Sequence, residues 1–166
     1  MTAPARDALV AVAGLLAPGV PEVAARAASA CDDPDGYLVE HADRLDERGI
    51  DEAGPELPWI ALVDALDDHR LLAEVDWKED PGEIAGQLQA LRSAPAAAEL
   101  WASLGRIELA THEFLRAAGE RLRARGTALA VLDIESDCYP LVLLPAERAD
   151  ELVALAAAAG FTAVVF

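Results

Sequence analysis

The sequence predicts an α+β fold in which N-terminal helices pack on a small mixed sheet that ends in a ββαβ unit. Three observations carry this. Residues 1–70 show apolar spacing of three and four with cap and turn chemistry between the runs, the pattern of short amphipathic helices. The first strand-like run comes only at 71–76, and the others gather after residue 127. No repeat or low-complexity linker divides the 166 residues, so one acidic domain over 1–166 is expected, helical over 1–70, strand–helix–helix over 71–126 and ββαβ over 127–166.

Taken in order, residues 5–16 place Leu9, Val12 and Leu16 on one helical face, and Pro18-Gly19 stops the run. Pro21 suits the first position of a second helix to about residue 30. Asp32-Asp33-Pro34-Asp35-Gly36 is turn and cap chemistry. It leads into a helix expected over 37–48, with Tyr37, Leu38, His41 and Leu45 on one side and Gly49 beyond its end. Residues 51–56 form an acidic loop. Pro58 opens a helix to Asp68 with Trp59, Leu62, Val63 and Leu66 at core spacing.

Residues 71–76 are the first strand. Asp80, Pro81 and Glu83 then stand as cap, first helical residue and third, with Ile84, Leu88 and Leu91 as the buried stripe behind them. After a turn at Pro95, one helix of about five turns is expected through Arg125, with Ile107, Phe114, Ala118 and Leu122 facing in. Gly126 ends it. Residues 127–134 and 138–144 form a hairpin, and both strands are apolar on both faces, as in a covered sheet. A helix over 147–159, capped by Gly160, precedes a last strand at 162–166. Strand, helix and strand in that order predict a right-handed crossover with parallel strands.

Composition bounds the function. The chain is 54% apolar, so it can build a core, although much of that share is alanine. Net charge is −17, with 20 Asp/Glu against 6 Lys/Arg in residues 1–84 and 10 against 7 in 85–166. Such a surface repels phosphate backbones and anionic lipid, so neither nucleic acid nor a membrane is expected as partner. It attracts a basic protein or a metal ion, and it also keeps a domain soluble. Lys78 is the only lysine, a preference for arginine that suits a GC-rich bacterial genome. Ala28-Ser29-Ala30 before Cys31 imitates a cleavage site, but Asp7, Glu22 and Arg26 interrupt what would be the signal, and a cytoplasmic location is expected.

Most chemical motifs fail on spacing. Cys31 and Cys138 make no C-x-x-C pair, and Cys138 reads as a small core residue of a buried strand. If Gly36 were the sixth position of a calcium loop, Cys31 and Ala42 would hold the first and twelfth, where oxygen ligands are required, so Asp33 reads as a helix cap. His112-Glu113 lacks the second histidine of a zinc-protease helix, and His41 and His112 read as partly buried helix residues. Asp64 and Asp68, with Asp67 and His69 beside them, read as a solvated face opposite Trp59 rather than a metal pair. No Gly-rich phosphate loop or Gly-x-Ser-x-Gly elbow occurs, and no cofactor is called for.

One stretch stands apart. In Glu74-Val75-Asp76-Trp77-Lys78-Glu79-Asp80 the lone lysine sits among carboxylates at the end of a strand. If that strand lies beside the 127–134 strand and parallel to it, Asp76, Asp133, Glu135 and Asp137 approach one rim, where sites form in open sheets. Trp77 would then be an apolar wall and Lys78 would hold the acids' field. The plainer alternative is an Asp76–Lys78 ion pair that fixes a turn.

The runs Pro58-Trp59-Ile60-Ala61-Leu62-Val63-Asp64-Ala65-Leu66, Asp76-Trp77-Lys78-Glu79-Asp80-Pro81 and Ser136-Asp137-Cys138-Tyr139-Pro140-Leu141 together resemble an uncharacterised bacterial family known as a domain of unknown function. The resemblance is weakest before residue 37 and implies no activity or cofactor. The C-terminal ββαβ unit, with Leu143-Leu144-Pro145 before a Leu/Ala helix, is also similar to the tails of small acidic bacterial immunity proteins. The resulting expectation is a non-enzymatic domain that binds a basic protein, such as a toxin or a nucleic-acid-binding protein, at 32–56 and near Asp76. The alternative is a metal-dependent hydrolase or small-molecule binder using Asp76, Asp133, Glu135 and Asp137. Oligomeric state is left open.

Overall fold

A computed structural model describes residues Met1–Phe166. Helices α1 (Ala3–Leu16), α2 (Pro21–Asp32), α3 (Pro34–Glu40), α4 (Ala42–Glu47) and α5 (Leu57–Asp68) precede strand β1 (Leu72–Asp76). Then come α6 (Pro81–Gln89), α7 (Ala98–Leu104), α8 (Thr111–Arg123), β2 (Thr127–Leu132), β3 (Cys138–Pro145), α9 (Ala149–Ala159) and β4 (Ala163–Val165). The α+β class and the N-terminal helices are as expected. A 3₁₀ turn at Ala146–Arg148 takes up the start foreseen for the last helix.

The four strands lie in the order β1-β3-β2-β4, and every neighbouring pair is antiparallel. This corrects the mixed sheet. The rim hypothesis needs the first strand beside the 127–134 strand and parallel to it; the two do run the same way, but β3 lies between them, with Leu72 opposite Val142 and Asp76 opposite Cys138. The hairpin forms as expected, with Thr127 opposite Pro145. β3 and β4 do run the same way, yet β2 separates them and pairs with both. A parallel default applies to adjacent strands; here the hairpin leaves the free edge of β2 as the nearest place for β4.

Alternation with period two divides the sheet cleanly. Leu72, Ala128, Ala130, Leu132, Val142 and Leu144 face one way into a core with α1, α2, α5 and α9. Ala73, Val75, Leu129, Val131, Leu141 and Leu143 face the other, against α6, α7 and α8. Both faces are covered, as the all-apolar β2 and β3 required. A third, smaller core joins Tyr37, Leu45, Leu57 and Ile60 beneath α3 and α4.

Two expected helices are each two. The run over 37–48 breaks at His41, whose φ of −114° and ψ of 24° leave the helical region. The break lets Tyr37 of α3 and Leu45 of α4 both enter the third core. The five-turn helix through Arg125 stops at Gly105 and restarts at Thr111. Leu100, Leu104, Ile107, Phe114, Ala118 and Leu122 keep helical spacing across the gap, so periodicity alone hides it.

Local caps follow the sequence closely. Asp33 Oδ1 accepts from the Gly36 N–H at 3.1 Å, as a cap does. Asp80 Oδ1 accepts from Gly82 N–H (2.8 Å) and Glu83 N–H (3.4 Å). The reciprocal bond of a capping box comes from Glu79, not Glu83: the Asp80 N–H donates to Glu79 Oε1.

Candidate functional site

Because β1 and β2 both run antiparallel to β3, their C-terminal ends share one rim of the sheet. The Trp77 N–H donates to the Asp137 carbonyl at 3.1 Å, which brings the β2–β3 turn against the end of β1. Asp76, Trp77, Lys78 and Asp137 therefore adjoin. No ion pair forms between Asp76 and Lys78. The Asp76 carboxylate instead accepts the Lys78 backbone N–H at 2.8 Å, and the Lys78 ammonium lies 4.3 Å from the centre of the Trp77 ring. Trp77 is 49% exposed, so it is a surface platform for its own neighbour rather than the wall of a cavity.

Asp133 and Glu135 turn the other way. Asp133 Oδ1 accepts from the Glu135 N–H (2.8 Å), its N–H donates to the Thr162 carbonyl (2.9 Å), and its carbonyl accepts from the Trp59 indole Nε1–H (2.9 Å). Glu135 has a φ of 55°, a left-handed conformation uncommon outside glycine. Nowhere do three or more His, Cys, Asp or Glu side chains come together as a metal-holding group. The rim acids thus divide between two places.

The second place is a cleft of about 750 Å³ open to solvent. The start of α1, the end of α2, residues 53–56, the start of α5, the β2–β3 turn and residues 159–162 enclose it. Its apolar side holds Ile60, Ile134 and Trp59, whose ring stacks on Phe161 with centroids 4.8 Å apart and planes at 10°. Its polar side holds Glu56, Asp133 and Glu135, and no lysine or arginine lines it. Composition drew attention to the acids, but nothing in the sequence joins residue 31 to residue 161 across this cleft.

Asp64 corrects the solvated-face reading. Its side chain is 1% exposed, and Arg48 Nη2 donates to its Oδ1 at 2.6 Å. The same guanidinium donates to Glu74 Oε1 and Oε2 (3.1 and 2.7 Å), while Arg44 reaches Asp64 Oδ1 (3.3 Å) and Asp67 Oδ2 (2.7 Å). Burial alone would lower the Arg48 pKa; the hydrogen bonds it donates to Glu74 and Asp64 more than reverse this, holding the group charged. Asp68 pairs with Arg26 instead. The sequence spaces Arg44 and Arg48 four residues apart, but nothing in it pairs them with Asp64 and Asp67; the packing of α4 against α5 does.

The remaining candidates settle by environment. Cys138 is half-buried opposite Asp76, and burial, then the nearby Glu74 and Asp76 carboxylates, push its thiol above its ordinary pKa. That is the reverse of what activates a nucleophile. His41 packs against the Tyr37 ring at 4.2 Å, and His112 is exposed at the edge of Phe166. No helix is long and apolar enough to cross a membrane.

Comparison with known proteins adds the family and nothing finer. No curated protein and no solved structure matches the chain significantly. The family model described as Domain of unknown function (DUF6630) matches residues 8–166, and the chain belongs to that family.

Proposed function

We propose that this domain is a non-enzymatic binding module whose acidic surface over residues 32–56 receives a basic protein partner. One observation carries the reading. Ten carboxylates of that segment are exposed, while its only two cations, Arg44 and Arg48, are turned inward onto Asp64, Asp67 and Glu74. The fold thus commits both local cations to acids outside the segment, and of its ten carboxylates only Asp32, paired with Arg6, has a cationic partner. Val39, 81% exposed on α3, adds an apolar side chain to the same segment. A surface of this sign speeds encounter with a cationic protein and selects against anionic ones. A basic toxin or a nucleic-acid-binding protein has the matching charge.

The test compares immobilised wild type with the Asp43→Asn/Asp46→Asn/Glu47→Gln variant, whose three positions are exposed on α4. Basic proteins retained from a host lysate are identified and their affinities measured across a salt series. The expected result is a loss of about tenfold or more in the variant, with the wild-type affinity falling steeply as salt rises. Equal affinity of both proteins for every retained partner would reject the reading.

A further inference from the structure

We infer that the cleft beside α5 and the β2–β3 turn is the docking site for a cationic side chain, arginine above all, of that basic partner. The inference rests on the binding reading above and names where one of the partner's residues goes. Four features of the cleft converge on this occupant. Its volume of about 750 Å³ lies in the range of ligand pockets and exceeds what an arginine side chain needs. Glu56, Asp133 and Glu135 supply its negative charge; no lysine or arginine side chain lies on its lining, and only Met1, with its amino group, brings a positive charge there. Half-buried Ile134 and Phe161, backed by the buried Trp59 and Ile60, supply an apolar wall for an aliphatic stem. Both ends of the acidic segment border it, at Cys31 and Pro34 and again at residues 53–56, so the surface proposed for encounter leads directly into it.

The acids are held ready rather than used up. The Asp133 side chain gives one oxygen to the Glu135 N–H, and Glu135 and Glu56 make no ion pair within the chain. Glu135 keeps its left-handed φ of 55° in the turn that lines the cleft. The Trp59 indole is anchored on the Asp133 carbonyl, which ties the apolar wall to the acidic one. No three His, Cys, Asp or Glu side chains come together as a metal-holding group, and the apolar wall beside the acids favours an organic cation with an aliphatic stem. A guanidinium offers five donors in a plane and tolerates an apolar or aromatic neighbour, where an ammonium is more strongly hydrated.

The test uses a short peptide with one central arginine flanked by lysines, the same peptide with citrulline in place of the arginine, and blocked arginine alone. Binding is followed by NMR at the Trp59 indole N–H. The Asp133→Asn/Glu135→Gln variant is measured beside the α4 surface variant; Asn still accepts the Glu135 N–H, so the turn is kept. The arginine peptide should shift the Trp59 signal, bind about tenfold or more tighter than the citrulline peptide, and lose a similar factor in the cleft variant. Blocked arginine alone should bind far more weakly than the peptide. Peptide binding that is unchanged in the cleft variant, with shifts confined to α3 and α4, overturns the cleft inference and leaves the partner reading standing. Equal binding of the citrulline peptide overturns it as well. Blocked arginine binding as tightly as the peptide overturns the partner as the source of the cation. Absence of binding by any peptide to either protein rejects both readings.

Discussion

Arg48 reaches from just beyond the end of α4 to both α5 and β1, and its acceptor Asp64 lies where water is scarce. Removing one member of such a group leaves the other charged and buried, which is why breaking a buried pair costs more than making it gains. Arg48→Met should lower unfolding free energy by about 3 kcal/mol, read from the urea midpoint, because only the longer Arg44 contact would remain on Asp64. Adding Asp64→Leu should recover much of that loss. A double variant no more stable than the single one would show that the staple does more than neutralise a buried charge. Asp64 Oδ2 has no hydrogen-bond partner in the chain, so the pair is already imperfectly satisfied.

At the scale of elements, two glycines in helices have opposite surroundings. A Cβ on Gly119 of α8 would sit 2.6 Å from Phe166 Cβ and 2.8 Å from its carbonyl carbon, just past the end of β4. Gly119→Val should therefore push the last residues off α8 and cost about 1–3 kcal/mol, with faster hydrogen exchange at the Phe166 N–H that bonds Leu129. Gly86 of α6 is exposed and meets nothing within 4 Å. Gly86→Ala should instead raise stability by about 0.5–1 kcal/mol. At the start of the same helix, Asp80→Ala removes the bonds to the Gly82 and Glu83 amides and should cost about 1 kcal/mol. Thermal melts of the three variants rank them, and a Gly119→Val midpoint equal to wild type would show that the chain end yields freely.

For the molecule as a whole, paired surface carboxylates contribute to its response to acid. The Arg6 hydrogen bond, strengthened by charge attraction, holds the Asp32 carboxyl below its ordinary value of 3.8, and Arg148 holds Glu151 below 4.5 in the same way. A depressed folded pKa stabilises the fold above the unfolded pKa, and that contribution is lost as pH falls through the folded one. Both pairs are exposed, so the loss is small and sensitive to salt. A carboxyl-carbon NMR titration should show Asp32 protonating below its ordinary range, and Arg6→Gln should return it to that range. An unaltered midpoint in Arg6→Gln would place the cause elsewhere.

Features set by neighbours a few residues apart were legible in the chain: the Asp33 and Asp80 caps, the β2–β3 hairpin, the buried stripe of Ile84, Leu88 and Leu91, and a sheet covered on both faces. They depend on hydrogen-bond reach and on periods of two and 3.6 residues, which the order of residues states directly. Strand order, the breaks at His41 and Gly105, the burial of Asp64 and the junction of residues 31, 56, 133 and 161 around one cleft were decided only by tertiary packing. Each of these turns on which distant surfaces meet. An aspartate reads the same in a sequence whether water or an arginine from another helix will surround it.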